Sequence, residues 1–378
     1  MTEFATLQLL GWLAVGAVMF LLAATAGFDF GAGILLPYLG RNDLERRAVI
    51  NTVGPTWDGN QVWLIIAGGA IFAIWPRVYA AAFSGFYFAM MLVLWALFLR
   101  PVAFEYRSKM KSAAWRSFWD WALFIGSLVP ALILGVGLGN ALIGVPFHYN
   151  PMSVRFFYDG TFWGLLRGFP LLCGVVSLAM MCLHGAAYVG LRTIGVINQR
   201  ANRAMQVCAW VYIAGFLAAG VWVLSGLAGF RVLASTPNAT INNVLMISHG
   251  LARNYSLHPW FIAPPILAFV SALAVIFFAR RANNAGAFWA SVCVPAFTIA
   301  TAGLSMYPVI LPSNTQPQDS LIIWNASSSL ISLLGILTTA LIALPVIFVY
   351  TAFVYKKLWG RGRRLNEEVV AKEDHLLY

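Results

Sequence analysis

Apolar residues in this chain come in nine long runs, at about 7–36, 50–74, 78–100, 119–144, 163–191, 204–228, 259–279, 286–311 and 330–355. Between them lie short stretches that collect charge and turn-forming residues. Each run exceeds the roughly 20 apolar residues needed to cross a ~30 Å hydrocarbon core at ~1.5 Å per residue. A core without water leaves backbone groups to bond within their own segment, so the runs read as helices. The expected fold is an all-α integral membrane protein with about nine transmembrane helices. The second run is the least regular, because Asp58, Asn60 and Gln61 interrupt its start.

Charge decides that run. With nine crossings, the connections on one side hold Arg41, Arg46 and Arg47, then Arg100, Arg107, Lys109, Lys111 and Arg116. The same side holds Arg192, Arg200, Arg203, Arg280 and Arg281, and the tail adds Lys356, Lys357, Arg361, Arg363, Arg364 and Lys372. That is 19 of the 24 Lys and Arg; the other side keeps Arg77, Arg155, Arg167, Arg231 and Arg253. The positive-inside rule then puts the N-terminus in the periplasm and the C-terminus in the cytoplasm. Omitting the second crossing would scatter the bias.

Composition agrees: 61% of residues are hydrophobic and 10% charged. A soluble domain carries roughly 25% charged residues. The net charge of +11 is spread over short connections rather than one basic face, which argues against a nucleic-acid partner. Cys173, Cys182, Cys208 and Cys293 all lie in apolar runs without a CxxC spacing, and read as small buried hydrophobes. The first run lacks a basic leader, so no cleavable signal peptide is expected. Residues 1–358 read as one transmembrane domain and 359–378 as a short, charged, partly mobile cytoplasmic tail. Two long connections, 145–162 and 229–258, fall on the periplasmic side; the second holds Asn238, Asn242, Asn243, His249, Asn254 and His258.

Ionisable groups inside a membrane are costly, and mark candidate chemistry. Of 13 acidic residues only Asp29 and Asp58 lie well inside the predicted spans. Counted from the predicted cytoplasmic ends, they sit roughly 14 Å and roughly 12 Å deep. Two carboxyls at one depth suit a proton path or an ion site. They suit structure too: Asp29 lies among Gly27, Gly31 and Gly33, where another helix can approach closely, and Asp58 can bond Asn60, Gln61 or Trp57 at a helix start. Arg100 stands at the cytoplasmic boundary, able to pair with an intramembrane acid. Glu105 and Lys109 would share a helix face if the helix continues past Pro101; the alternative is an interfacial basic loop.

A membrane haem wants paired axial ligands on facing helices. His184 is the one histidine within a span, with no histidine partner; His148, His249 and His258 lie in periplasmic connections and His375 in the tail. His184 is therefore not expected to ligate haem, and no metal site or catalytic residue is expected in this chain. A proton- or cation-coupled secondary transporter would also use mid-membrane acids and broken helices, and a purely structural assembly subunit would satisfy both acids locally.

Several motifs add to this reading: Gly27-Phe28-Asp29-Phe30-Gly31, Gly40-Arg41-Asn42-Asp43, Trp57-Asp58-Gly59-Asn60-Gln61-Val62-Trp63, Ala80-Ala81-Ala82-Phe83-Ser84-Gly85-Phe86-Tyr87 and Phe104-Glu105-Tyr106-Arg107-Ser108-Lys109. With Trp119-Asp120-Trp121 and Gly144-Val145-Pro146-Phe147, they resemble the subunit II family of cytochrome bd-type ubiquinol oxidases along essentially the whole chain.

The resemblance implies nine helices, in two four-helix bundles plus one peripheral helix, in the bacterial inner membrane. It implies a homologous subunit I carrying two b-type haems, one d-type haem and the quinol-oxidising loop, with small single-helix accessory subunits and membrane lipids as further partners. The complex would oxidise quinol and reduce O₂ to water, drawing protons from the cytoplasm. Subunit II would hold no haem, with room for a structural quinone. Asp58 would stand on a proton path toward subunit I, with Asp29, Arg100 and Glu105 near it, beside Trp57 and Lys109. Two departures matter. Ala26 stands where the family often has a first acid, which puts a two-acid relay in the first helix in doubt. Glu105 stands where Asp is frequent, which keeps the carboxylate.

Overall fold

A computed structural model describes residues 3–234, 243–358 and 364–372. The order begins α1 (Glu3–Leu39), α2 (Asp43–Val53), α3 (Trp57–Ile74), α4 (Pro76–Gly85), α5 (Tyr87–Tyr106) and α6 (Ala113–Ile143). The hairpin β1 (Phe147–Asn150) and β2 (Arg155–Tyr158) leads to α7 (Gly168–Arg192) and α8 (Gly195–Leu224). After β3 (Gly229–Ala234) and β4 (Asn243–Ile247) come α9 (Gly250–Leu257), α10 (Ala263–Arg280) and α11 (Asn284–Met306). The chain closes with β5 (Val309–Leu311), β6 (Leu321–Ile322), α12 (Ile323–Ala326), α13 (Leu330–Leu358) and α14 (Glu367–Lys372).

Among the described residues eight helices are long and apolar enough to cross a membrane: α1, α5 to α8, α10, α11 and α13. The predicted span 50–74 is instead two helices. Gly54 and Pro55 divide α2 from α3, since proline offers no N–H to continue the ladder and disfavours helix in the residue before it. The 18 residues of α3 would still cover about 27 Å. The predicted span 78–100 also divides at Phe86, into α4 and α5. The all-α expectation holds, and the connections add three short antiparallel pairs, β1–β2, β3–β4 and β5–β6.

The C-terminal half of α1 is the centre of the packing, with every residue from Ala26 to Gly33 buried. Small residues set its distances to neighbouring helices. A Cβ added to Gly31 would run into the Met181 carbonyl of α7, and one added to Gly33 into Ser127 of α6. In a membrane such close backbone contact replaces the missing hydrophobic drive. On one side α1 packs with α3 and α6, and α5 lies against α6; on the other α7, α8, α10 and α11 pack together. α13 is largely exposed, touching α1 and α3.

The tail is docked rather than loose where it is described. Leu365 and residues 192–194 exchange backbone bonds, Leu365 N–H to the Arg192 carbonyl at 2.8 Å and Ile194 N–H to the Leu365 carbonyl at 3.1 Å. Asn42 Nδ2 donates to Glu367 at 2.7 Å, and Val370 is fully buried. Trp359, Arg361, Arg363 and His375, like Asn238 and Asn242, lie outside the described residues.

Candidate functional site

Asp29 sits in α1, 1% exposed, with α3 beside it. Asn60 Nδ2 donates to its Oδ2 at 2.8 Å, and Tyr355 of α13 donates its hydroxyl to Asn60 Oδ1 at 2.6 Å. Three helices therefore meet through one amide. The other carboxylate oxygen of Asp29 has no hydrogen-bond partner among the described residues.

Arg100 near the end of α5 is fully buried. Its guanidinium lies 4.4 Å from the centroid of the Phe30 ring, a cation–π contact. Among the described residues none of its three guanidinium nitrogens makes a hydrogen bond, and its charge acts on Asp29 without a direct ion pair. Gly126 of α6 gives room for its stem, since a Cβ there would come within 2.9 Å of Arg100 Cγ and 2.8 Å of the Ala96 carbonyl. Ser127 Oγ and Gln61 Nε2 are likewise buried and unbonded. Such atoms are the ones ordered water satisfies in proteins.

Asp58 occupies the first turn of α3 and is exposed in this chain. Asn60, two residues on, reaches Asp29 directly. Trp57 is buried and stacks on Phe104 with centroids 4.9 Å apart and planes at 14°. This stack joins the start of α3 to the end of α5, so Asp58 and Glu105 each follow one of its two members. Glu105 and Lys109 are both exposed and make no ion pair with one another. The helix does continue past Pro101, but α5 ends at Tyr106 and a 3-10 turn over Arg107–Lys109 follows, so the i, i+4 register is lost.

A cluster of ion pairs below this site was not anticipated. Arg107, 3% exposed, binds Asp120 through Nε at 2.5 Å and Asp43 through Nη2 at 2.9 Å. Arg46 joins Asp120 at 2.9 Å and Arg116 joins Asp43 at 2.5 Å. Nearby, Arg200 binds Glu45 at 2.6 Å and the Leu39 carbonyl at 2.9 Å. Burial pushes the Glu45 carboxyl up, but the Arg200 bond and the backbone N–H groups of Arg41 and Asn42 outweigh it and hold it below its usual range. Tyr355 and Asn60, 295 residues apart in sequence, carried no local signal of their contact; the acids and arginines at 43, 107 and 120 lay inside the quoted motifs.

His184 spends both ring nitrogens within the chain. Nε2 meets the Ala24 carbonyl at 2.9 Å and Nδ1 meets Ser291 Oγ at 2.8 Å. Its ring stacks on Phe288 at 5.6 Å. These residues do not fit a haem ligand. Among the described residues no three His, Cys, Asp or Glu side chains gather as a metal site would need.

The chain matches the family model described as cytochrome bd terminal oxidase subunit II over residues 7–358. It is 44% identical to cytochrome bd-I ubiquinol oxidase subunit 2 of Escherichia coli K12 over 383 aligned positions, covering 100% of both chains. It is 31% identical to cytochrome bd ubiquinol oxidase subunit 2 of Bacillus subtilis, over 92% of this chain and 95% of that one. Its fold resembles a chain of the bd oxidase from Geobacillus thermodenitrificans, with a TM-score of 0.71 at 14% identity over 92% of this chain and 97% of that one.

Proposed function

The chain belongs to the cytochrome bd terminal oxidase subunit II family, and from that premise we propose that it supplies a proton-uptake path to a haem-bearing subunit I while holding that partner in place. The complex couples quinol oxidation to reduction of O₂ to water in the bacterial inner membrane. Subunit I carries the two b-type haems and the d-type haem. This chain supplies carboxyls, buried polar groups and structure, as one nine-helix unit over residues 1–358 with its N-terminus in the periplasm.

The observation that carries the reading is the Asp29–Asn60–Tyr355 group beside Arg100. It is a carboxyl with one oxygen free, next to a buried guanidinium with unspent donors. A carboxyl so placed takes a proton on one oxygen while the amide holds the other, and can pass it on. Arg100 offsets part of the cost of the anion between the two steps.

Exposure of Asp58 fits a path shared with the partner. Added Cβ atoms at Gly59, Gly68 and Gly69 of α3 would meet nothing within 4 Å, and Val62, Ile65 and Phe72 are exposed. Subunit I seated on this face would bury Asp58 between the two chains. Asp58 and Glu105 then receive protons at the joined ends of α3 and α5, and Asp29 stands further along.

The test is Asp58→Asn in the assembled complex. Quinol-driven O₂ consumption should fall while assembly and the partner's haem spectrum persist. Full turnover would remove Asp58 from the path and leave this subunit a structural role.

A further inference from the structure

We propose that the cavity between α4 and the β1–β2 hairpin is a binding site for the phosphate of an anionic phospholipid. The cavity has a volume of about 350 Å³, and its lining includes Arg77 and Ser84 of α4 with Tyr149, Arg155 and Phe156 of the hairpin. It is a built feature: α4 and β2 pack together, and Gly85 has no Cβ to meet the Tyr158 ring, which would lie 2.9 Å from one.

Charge points to an anion. No acidic residue lines the cavity, and the two arginines come from positions 77 and 155. They are two of only five Lys and Arg in the connections at this end of the bundle, so their convergence is not the by-product of a basic surface. Among the described residues Arg77 donates only from Nη1, to the Asn325 carbonyl at 3.1 Å. Arg155 is exposed and its side chain makes no hydrogen bond or ion pair among the described residues. The nearby acids are already engaged, Asp159 with His148 at 2.8 Å and Asp319 with the Tyr149 N–H at 2.8 Å. Guanidinium forks match phosphate oxygens in geometry and charge. Pro76 and Arg77 open α4, which has no side-chain cap, so the positive end of its dipole adds to the same field.

Position favours a lipid over a soluble phosphate. α4 joins the end of α3 to the start of α5, and Tyr87 and Phe88 at that start are exposed. An exposed tyrosine such as Tyr87 marks the membrane interface, where acyl chains would lie beside a headgroup held by Arg77 and Arg155.

The experiment uses the intact, delipidated complex in detergent and native mass spectrometry to follow retention of added phosphatidylglycerol, with phosphatidylcholine and inorganic phosphate as separate probes. The wild type should retain phosphatidylglycerol in preference to phosphatidylcholine. The double variant R77Q/R155Q should bind it roughly thirtyfold more weakly, from loss of two basic residues at an anionic surface, and the corresponding Lys pair should recover most of the binding. Should the double variant not assemble, Arg155→Gln alone, at an exposed position, gives the same test with a smaller shift. Equal retention by wild type and variant overturns the site. Arginine-dependent protection by inorganic phosphate equal to that by phosphatidylglycerol overturns the lipid assignment.

Discussion

Asn60 holds Asp29 by one carboxylate oxygen, at 2.8 Å, and takes the Tyr355 hydroxyl on its own carbonyl, at 2.6 Å. One buried amide thus ties α1, α3 and α13 at the depth where the chemistry is proposed. Its replacement in Asn60→Leu strands a carboxylate oxygen of Asp29, at about 1–3 kcal/mol for an unmet buried group, and takes one partner from the Tyr355 hydroxyl. The thermal unfolding midpoint of the detergent-solubilised complex should fall, and quinol-driven O₂ uptake with it. A variant with both values unchanged would show that the bond does not position Asp29.

Asp29 and Arg100 attract without touching, so each compensates the other's charge at a distance. Removing either alone leaves a buried charge less compensated; removing both leaves none. A double-mutant cycle with Asp29→Asn and Arg100→Gln, read by thermal unfolding, should therefore show the double variant less impaired than the sum of the singles. A coupling of about 0.5–3 kcal/mol is expected for such a pair. Strict additivity would mean that the two groups do not sense one another. Turnover should fall in both singles and stay low in the double variant, because compensation of charge does not restore a proton carrier.

The long helices were legible because a membrane span is written in local composition, and the depth of Asp29 followed from counting residues along one of them. What composition could not show was how spans break. Gly54-Pro55 and Phe86 each divide an apolar run that reads as continuous, because hydropathy averages over the residues that interrupt a helix. Contacts between distant positions were equally hidden. Nothing local to Tyr355 points to Asn60, and nothing near Asp58 tells an exposed first turn from a buried one. For Asp58, depth along a helix was legible and the face it lies on was not. Of the two readings of residues 105–109, the change from α to 3-10 geometry after Tyr106 favours the interfacial loop.

Acid should loosen the end of the bundle where α1, α2 and α8 meet. The Glu45 carboxyl is held below its ordinary value of 4.5 in the folded chain. Between the ordinary value and the lower folded one, the unfolded chain takes up a proton that the folded chain does not, so stability falls with pH. The contribution is present above about pH 4.5 and is lost as pH drops through the folded value. In Glu45→Gln that contribution is missing at pH 7, and the gap to wild type should close on acidification. Unfolding midpoints measured from neutral to acid pH test this; two parallel curves would rule out Glu45 as the titrating group.

Gly31 and Gly185 set the distance between α1 and α7. A Cβ on Gly185 would come within 2.6 Å of the Gly31 Cα, and one on Gly31 would meet the Met181 carbonyl and lie 2.9 Å from the Gly185 Cα. Helix propensity alone would favour Gly31→Ala by up to about 1 kcal/mol, but backbone atoms cannot move aside as a flexible side chain can. The two helices must part, at roughly 1–3 kcal/mol for an overpacked site. Parting them stretches the His184 contact to the Ala24 carbonyl and shifts Asp29, two residues from Gly31, away from Asn60. Gly16 of the same helix is the control, since a Cβ there meets nothing within 4 Å. Gly16→Ala should leave assembly and turnover at wild-type levels, while Gly31→Ala lowers the unfolding midpoint and the rate of O₂ uptake. Equal behaviour of the two variants would show that the close crossing is not what keeps Asp29 in place.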